Sequence, residues 1–494
     1  MMSDLPPLDR HPAVTRRALL KSSASGLGYL AFASLAHQAA ARDAAARDAA
    51  GQDTAGQDTA ARDTAGRASQ LAPQETHFPA RAKRVIFLCM NGGPSHIDLY
   101  DYKPALERDA AKANVMPSPF RFTQHGESGA WVSEVLPKLA EQADELCFLH
   151  GMHTDLPNHS QAFMQMHTGS FQFVRPSLGA WSLYGLGTEN TNLPGFITLN
   201  PPADNGGARN YGSAFLPAIF QGTKIGTNQI PGFYAALLGV DQEPGPPLKN
   251  IKNPNLTTAE QRAQLDLIRD LNSQKLRRDV FNPEIEGAIE SFELAFRMQD
   301  EIPQLLDLSA EPEAMLRLYG IGSGLATDRF GRQCLLARRL AEAGVRFIEL
   351  TSPIGWDHHF LLRDKLAESC LATDQPIAAL LTDLKQRGML DDTLVVWAGE
   401  FGRTPFAQSG TGRDHNNKGY TIWMAGGGVK PGLSFGATDE HGTQAVENPV
   451  HIHDWHATLL HLLGLDHKRL TFNYAGRDFR LTDVYGNVAH EILA

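Results

Sequence analysis

"RVIFLCMNGGPSHIDLYDYKP" occupies residues 84–104. Its first seven residues are a short continuous apolar run, as expected of a strand buried on both faces of a sheet. A polar stretch begins at Asn91, and the same succession recurs along the chain. "CFLHGM" (147–152) leads into "HTDLPNHSQAFMQMHTGS" (153–170), and "VRFIEL" (345–350) into "TSPIGWDHH" (351–359). "TLVVWAG" (393–399) continues as "EFGRTP", and "GRDHNNKGY" (412–420) opens the strand "YTIWMAGGG" (420–428). Between these runs, "PKLAEQADEL" (137–146), "GRQCLLARRLAEAG" (331–344), "PIAALLTDLKQRG" (376–388) and "DWHATLLHLLG" (454–464) carry helical spacing. Strand–helix alternation predicts an α/β fold, a largely parallel central sheet with helices on both faces.

In such sheets ligands sit beyond the carboxyl ends of the strands. His, Asp and Glu gathered at several successive strand ends suit divalent cations, because imidazole and carboxylate are ligands for zinc, manganese and similar metals. Each motif alone also has a plainer explanation. "WDHH" fits a surface turn, Glu400 and Arg403 a structural ion pair, and Gly-Gly-Pro ordinary turn punctuation. Their joint placement after strands is what points to a site.

The chain ahead of this region has a different character. "TRRALLK" (15–21) precedes a modest apolar run that is too short to span a bilayer. With the small residues Ala39-Ala40-Ala41 it has the order of an export signal. The paired Arg16 and Arg17 resemble the twin-arginine signal, which serves cargo folded before export and so implies a periplasmic or extracellular location. Residues 1–41 are therefore expected to be signal. From Ala41 the chain reads as an imperfect five-residue repeat ("ARDAA ARDAA GQDTA GQDTA ARDTA") that has no large apolar side chain, and residues 42–78 are expected to be a flexible tether. That leaves 79–494 as the α/β domain. Within it, the Pro-, Gly- and Asn-rich stretch 201–307 breaks the rhythm and is expected to be an insertion, with helices near Thr257 (Glu260 placed for a capping box) and at Asn282-Pro283.

Cys89, Cys147, Cys334 and Cys370 stand at no metal or redox spacing, and Cys89 and Cys147 are expected as small core residues rather than parts of a disulfide framework. The formal net charge of −10 offers no basic footprint for nucleic acid.

Taken in order, "FLCMNGGPSHIDLYDYKP", "NHSQAFMQMHTG", "GWDHH", "WAGEFGRTP", "GRDHNNKGYTIWMAGGGVKPG" and "AGRDFRLTDVYG" resemble the secreted family catalogued as domain of unknown function number 1501. That family is similar to the alkaline phosphatase and sulfatase superfamily, and the resemblance runs from about Arg84 to the C-terminus. It implies metal ligands at Asp357, His359 (or His358), Glu400 and His415. The superfamily's first metal-binding acid corresponds to Asn91, a neutral residue, for which His96 or Asp98 is a substitute. Where the superfamily has Asp-His, this chain has Glu400-Phe401, so one cation is better supported than two. The nucleophile, counted ten residues back from Gly169, falls on His159, next to Ser160. Three chemistries follow: attack by Ser160, attack or metal binding by His159, or attack by water activated by the cation.

The implied function is an exported metal-dependent hydrolase of phosphate or sulfate esters. Its divalent cation would be zinc, calcium, magnesium or manganese, its substrate an anionic ester, and Arg403 would pair with the ester's oxygens. The alternative is a secreted binding or scaffold protein that keeps the fold without the chemistry.

Overall fold

The structure is a computed structural model that describes residues 69–226, 252–253, 255–278 and 283–494. The expected signal (1–41), the tether up to residue 68 and residues 227–251 of the expected insertion lie outside the described residues.

The apolar runs fold as strands of one nine-stranded sheet. In chain order its long members are β1 (Arg84–Cys89), β4 (Leu146–His153), β5 (Phe196–Leu199), β6 (Thr223–Ile225), β7 (Phe347–Thr351), β8 (Thr393–Ala398) and β11 (Tyr420–Ala425). The pairs β2 (Phe122–His125) with β3 (Ala130–Ser133), and β9 (Gly402–Gln408) with β10 (Gly412–Asn416), form separate hairpins. β1 lies at the centre, parallel to β7 on one side and β8 on the other. β5 extends the parallel array beyond β7, and β6 extends it beyond β5. β11 runs antiparallel to both β8 and β4. Ser434–Phe435 and Val450–His451 flank β4 in parallel. The sheet is thus largely parallel, with one reversed strand.

Alternation along β1 divides the core. Phe87 meets the rings of His167 and Trp455 on one face (centroids 5.7 and 5.9 Å). On the other, Trp397 packs against Tyr100 and Trp356 (5.2 and 6.2 Å). Helices cover both faces. The expected helix at 376–388 is the second half of a longer one, Leu362–Gln386, with Pro376 inside it. "PKLAEQADEL" forms one short turn, Pro137–Ala140, and a 3-10 turn, Ala143–Glu145, before β4 begins at Leu146.

At the N-terminal side, Leu71 is buried, Gln74 N donates to Leu186 O and His77 N to Gly464 O (2.9 Å each). The body therefore reaches back before the expected boundary at residue 79. Residues 248–299 belong to a unit separate from the sheet domain. Its described part contains the helix Thr258–Arg278 and the start of Pro283–Leu306. Thr257 and Glu260 make the expected reciprocal cap, Thr257 N to Glu260 Oε2 at 2.8 Å and Glu260 N to Thr257 Oγ1 at 3.2 Å.

Candidate metal centre

Loops at the carboxyl ends of four parallel strands, joined by the β9–β10 hairpin, bring polar groups together. β1 supplies Asn91 and Gly92, β4 leads to His159, β7 to Asp357 and His359, and β8 to Glu400. His159 is the first residue of the helix His159–Thr168, whose N-cap is Asn158; the cap's side chain accepts from Gln161 N at 3.3 Å. His415 sits on β10 just past a register shift between Arg413 and His415. The irregularity separates two side chains that regular pairing would put on one face. Arg413 goes into the core, and His415 goes to the site.

Asp357 is the hub. Its Oδ1 lies 2.9 Å from His359 Nε2, 3.2 Å from His159 Nε2, 3.4 Å from His415 Nε2 and 2.5 Å from Arg403 Nη2. One ligand atom from each of His159, Asp357, His359 and His415 lies within 4.8 Å of the other three. Each imidazole is fixed from behind through Nδ1. His159 Nδ1 donates to Glu400 Oε1 at 2.5 Å, His415 Nδ1 to the Pro157 carbonyl at 2.7 Å, and His359 Nδ1 to Gln408 Oε1. None of these acceptors has a proton to give, so each Nδ1 carries the hydrogen and each Nε2 is the nitrogen turned toward Asp357.

Glu400 is buried behind His159, where its two oxygens also accept from Gly92 N at 3.0 and 3.1 Å. Gly92 is required there, because at φ +120° a Cβ would lie 2.6 Å from the backbone nitrogens of Trp356 and Asp357.

Charge and burial set the protonation states. Burial alone would lower the His159 pKa, but the Asp357 and Glu400 carboxylates outweigh it and raise it to about 9. Burial likewise opposes ionisation of Asp357, yet His159, His415 and Arg403 hold it well below the usual carboxylate range. His358 points the other way. Burial, with Arg403 next, lowers it to about 3, and its Nε2 lies 3.4 Å from Ser369 Oγ.

Of the two neighbouring histidines, then, His359 reaches the cluster and His358 does not. Glu400 is not among the four grouped ligands; it stands behind one of them. Asp98 is elsewhere, fully buried in a two-bond pair with Arg413 (2.7 and 3.1 Å), which corrects its expected place as a ligand. Asn91 Oδ1 accepts from Asn205 Nδ2 at 3.0 Å, and Asn205 Oδ1 accepts from Ser160 Oγ at 3.2 Å. Ser160 thus faces Asn205 while its neighbour His159 enters the cluster. Arg403 is also corrected. Its fork is fully buried and used on the Gly93 carbonyl (2.8 Å), the Arg413 carbonyl (3.1 Å), the Gly92 carbonyl and Asp357, so it is not free to grip a substrate anion.

Gln408, Asn205 and the Pro157 carbonyl complete the arrangement, and sequence reasoning missed all three. Asn158 carried a signal that could have been used, since Asn before an apolar-periodic run marks a helix start.

No curated protein sequence matches the chain. Among solved structures, it is similar to a sulfatase from Pseudoalteromonas sp. (12% identity, 78% of this chain and 68% of that one, TM-score 0.36). It is also similar to a phosphonate monoester hydrolase from Silicibacter pomeroyi (13%, 78% and 73%, TM-score 0.33) and to the alkaline phosphatase of the Antarctic bacterium TAB5 (10%, 70% and 92%, TM-score 0.28). Residues 82–493 match the family described as "Protein of unknown function (DUF1501)". The chain belongs to that family.

Proposed function

We propose that the protein is an exported hydrolase of phosphate or sulfate esters that works with one divalent cation held by His159, Asp357, His359 and His415. The observation that carries this reading is the common orientation of three imidazoles, each with its Nδ1 proton held by an oxygen and its Nε2 turned toward one carboxylate oxygen. Metal-binding histidines are oriented in this way by carboxylate or carbonyl acceptors behind them. The donor set fits a cation on a second ground. His159 Nε2 is buried without a hydrogen-bond partner among the described residues, although it lies 3.2 Å from Asp357 Oδ1. Ligand atoms about 2.0–2.2 Å from a shared cation stand roughly 3–3.5 Å apart, the separations seen around Asp357.

The cation, when bound, supplies Lewis-acid polarisation of an ester oxygen and makes water a competent nucleophile near neutral pH. The chain's own groups do the rest. Glu400 holds the His159 proton on Nδ1, Gly92 N holds Glu400, and Arg403 fixes Asp357 while neutralising part of its charge. With Ser160 bonded to Asn205, water is the nucleophile this arrangement favours.

The export part of the proposal rests on Arg16-Arg17 and the apolar run that follows. No helix among the described residues is long and apolar enough to cross a membrane. A non-catalytic binding role is the second reading, favoured by the inward turn of Arg403, which leaves the site without the anion-gripping fork expected of it.

The test is to purify the mature chain, measure its metals by elemental analysis, and assay paired aryl phosphate and aryl sulfate esters. Stoichiometric metal with turnover of one ester is expected. Metal-free, inactive protein after divalent cations are added back would favour the binding role.

A further inference from the structure

A second cluster lies in the core on the Phe87 face of the sheet. Cys89 ends β1, Glu349 is the middle residue of β7, and His167 is near the end of the helix His159–Thr168. Their exposures are 0%, 1% and 2%. One ligand atom from each lies within 4.8 Å of the other two. In the β1–β7 register Phe87 is opposite Glu349 and Cys89 opposite Thr351, so all four share one face of the sheet. His167 lies on that face, 5.7 Å from the Phe87 ring centroid.

His167 repeats the orientation found in the exposed centre. Its Nδ1 donates to the Phe163 carbonyl at 2.7 Å, and its Nε2 stands 3.2 Å from Glu349 Oε1. A fully buried carboxylate with a single imidazole beside it is a costly arrangement unless further charge or hydrogen bonding compensates. Two hydroxyls on this face are unsatisfied. Thr351 Oγ1 and Thr198 Oγ1, the latter on the residue opposite Glu349 in the β5–β7 register, are buried without a hydrogen-bond partner among the described residues. Burial, and then the carboxylates of Glu349 and Glu400, raise the Cys89 thiol well above its ordinary range, so a thiolate there requires a cation at hand.

We propose that Cys89, His167 and Glu349 form a second, buried cation site, structural in role, which takes a borderline divalent transition metal of the zinc class. One sulfur, one imidazole and one carboxylate suit such a metal, whereas calcium and magnesium take oxygen ligands. Binding displaces two protons to solvent as the chain folds, one from the Cys89 thiol and one from Nε2 of the His167 imidazolium, and the thiolate sulfur, the freed His167 Nε2 lone pair and a Glu349 oxygen become ligands. The cation ties β1 and β7 to the helix that begins with His159, and so holds the floor beneath the exposed centre. Because the site is sealed, its metal enters as the chain folds and resists chelators afterwards. The inference stands apart from the proposed ester chemistry.

The experiment uses the full chain produced in zinc-supplemented medium and treated with chelator under native conditions. Elemental analysis of the Asp357→Ala/His359→Ala variant, which lacks the exposed centre, is expected to give about one retained zinc per chain, released only on unfolding. X-ray absorption of the retained zinc in chelated wild-type protein is expected to show one sulfur scatterer at about 2.3 Å. That measurement needs no core substitution. Adding Cys89→Ser should remove the sulfur scatterer. A chain that retains no zinc after chelation, or zinc with only nitrogen and oxygen neighbours, overturns the proposal and leaves His167 and Glu349 as a buried imidazolium–carboxylate pair.

Discussion

His159 shows how much one position decides. Placed where the family resemblance implied a nucleophile, it instead offers Nε2 to Asp357 and is held through Nδ1 by Glu400. Replacing Glu400 with Gln removes the charge behind the ring but keeps an oxygen acceptor. Loss of such supporting partners typically lowers metal affinity about 10–100-fold, so E400Q should bind its metal correspondingly more weakly, as a competitive chelator titration would read. In metal-free protein the same residue gives a pH signature. The folded pKa of about 9 lies above the ordinary 6.5. His159 therefore contributes stability that is fully present below about pH 6.5 and is lost as pH rises through about 9, at most about 3 kcal/mol. Chelated protein should show falling denaturation midpoints over that window, and His159→Gln should flatten the slope; an unchanged slope would refute the assignment. These histidines were legible in the sequence because His and Asp collect after apolar runs. What was not legible is which nitrogen each ring presents. That depends on Gln408, Pro157 and Glu400, which lie 49, 258 and 241 residues from their histidines. Arg403 was misjudged for a similar reason. A guanidinium in a polar motif reads as an anion fork, but its partners are Asp357 and several backbone carbonyls, and carbonyls leave no mark in composition.

The strands could be read as elements because a strand buried on both faces must be continuously apolar. Their direction could not. "YTIWMA" is as apolar as its parallel neighbours, yet β11 runs against both β4 and β8. The hairpin β9–β10 carries no clear strand pattern in the sequence, since "GRTPFAQ" and "GRDHN" alternate poorly, and its register shifts between Arg413 and His415. Its contribution is positional: Gln408 and His415 enter the site from one hairpin, and Arg413 anchors it through Asp98. Breaking a buried pair of this kind leaves an uncompensated charge and costs about 3–5 kcal/mol. Arg413→Met should therefore destabilise the domain by that order in urea titrations, and should also weaken metal binding because His415 follows the same strand. The β1 loop permits a sharper test. Gly92→Ala places a methyl against the Trp356–Asp357 backbone at a positive φ. Such overpacking typically costs about 1–3 kcal/mol. If G92A keeps full metal affinity, the close approach of the two loops is not what positions Asp357.

Across the whole molecule, the exposed centre joins loops that are far apart in sequence, with His159 following β4, Asp357 and His359 following β7, and His415 on the hairpin after β8. An unfolded chain does not hold these four groups together, so a cation bound as proposed would act on the folded state and its free energy would add to stability. At a free metal concentration a thousandfold above the dissociation constant, that contribution is about 4 kcal/mol. In a domain of this size the melting midpoint should consequently fall by several degrees when the exposed metal is stripped, and recover when zinc or manganese is restored. The control is Asp357→Ala. It removes the oxygen toward which all three imidazoles turn, so its melting midpoint should be insensitive to chelator and to added metal, whereas Ser160→Ala should behave as the parent does. A chelator shift that survives in the Asp357 variant would mean that the stabilising cation lies elsewhere, and a parent that shows no shift would mean that protons on the histidines, rather than a metal, hold this end of the sheet together.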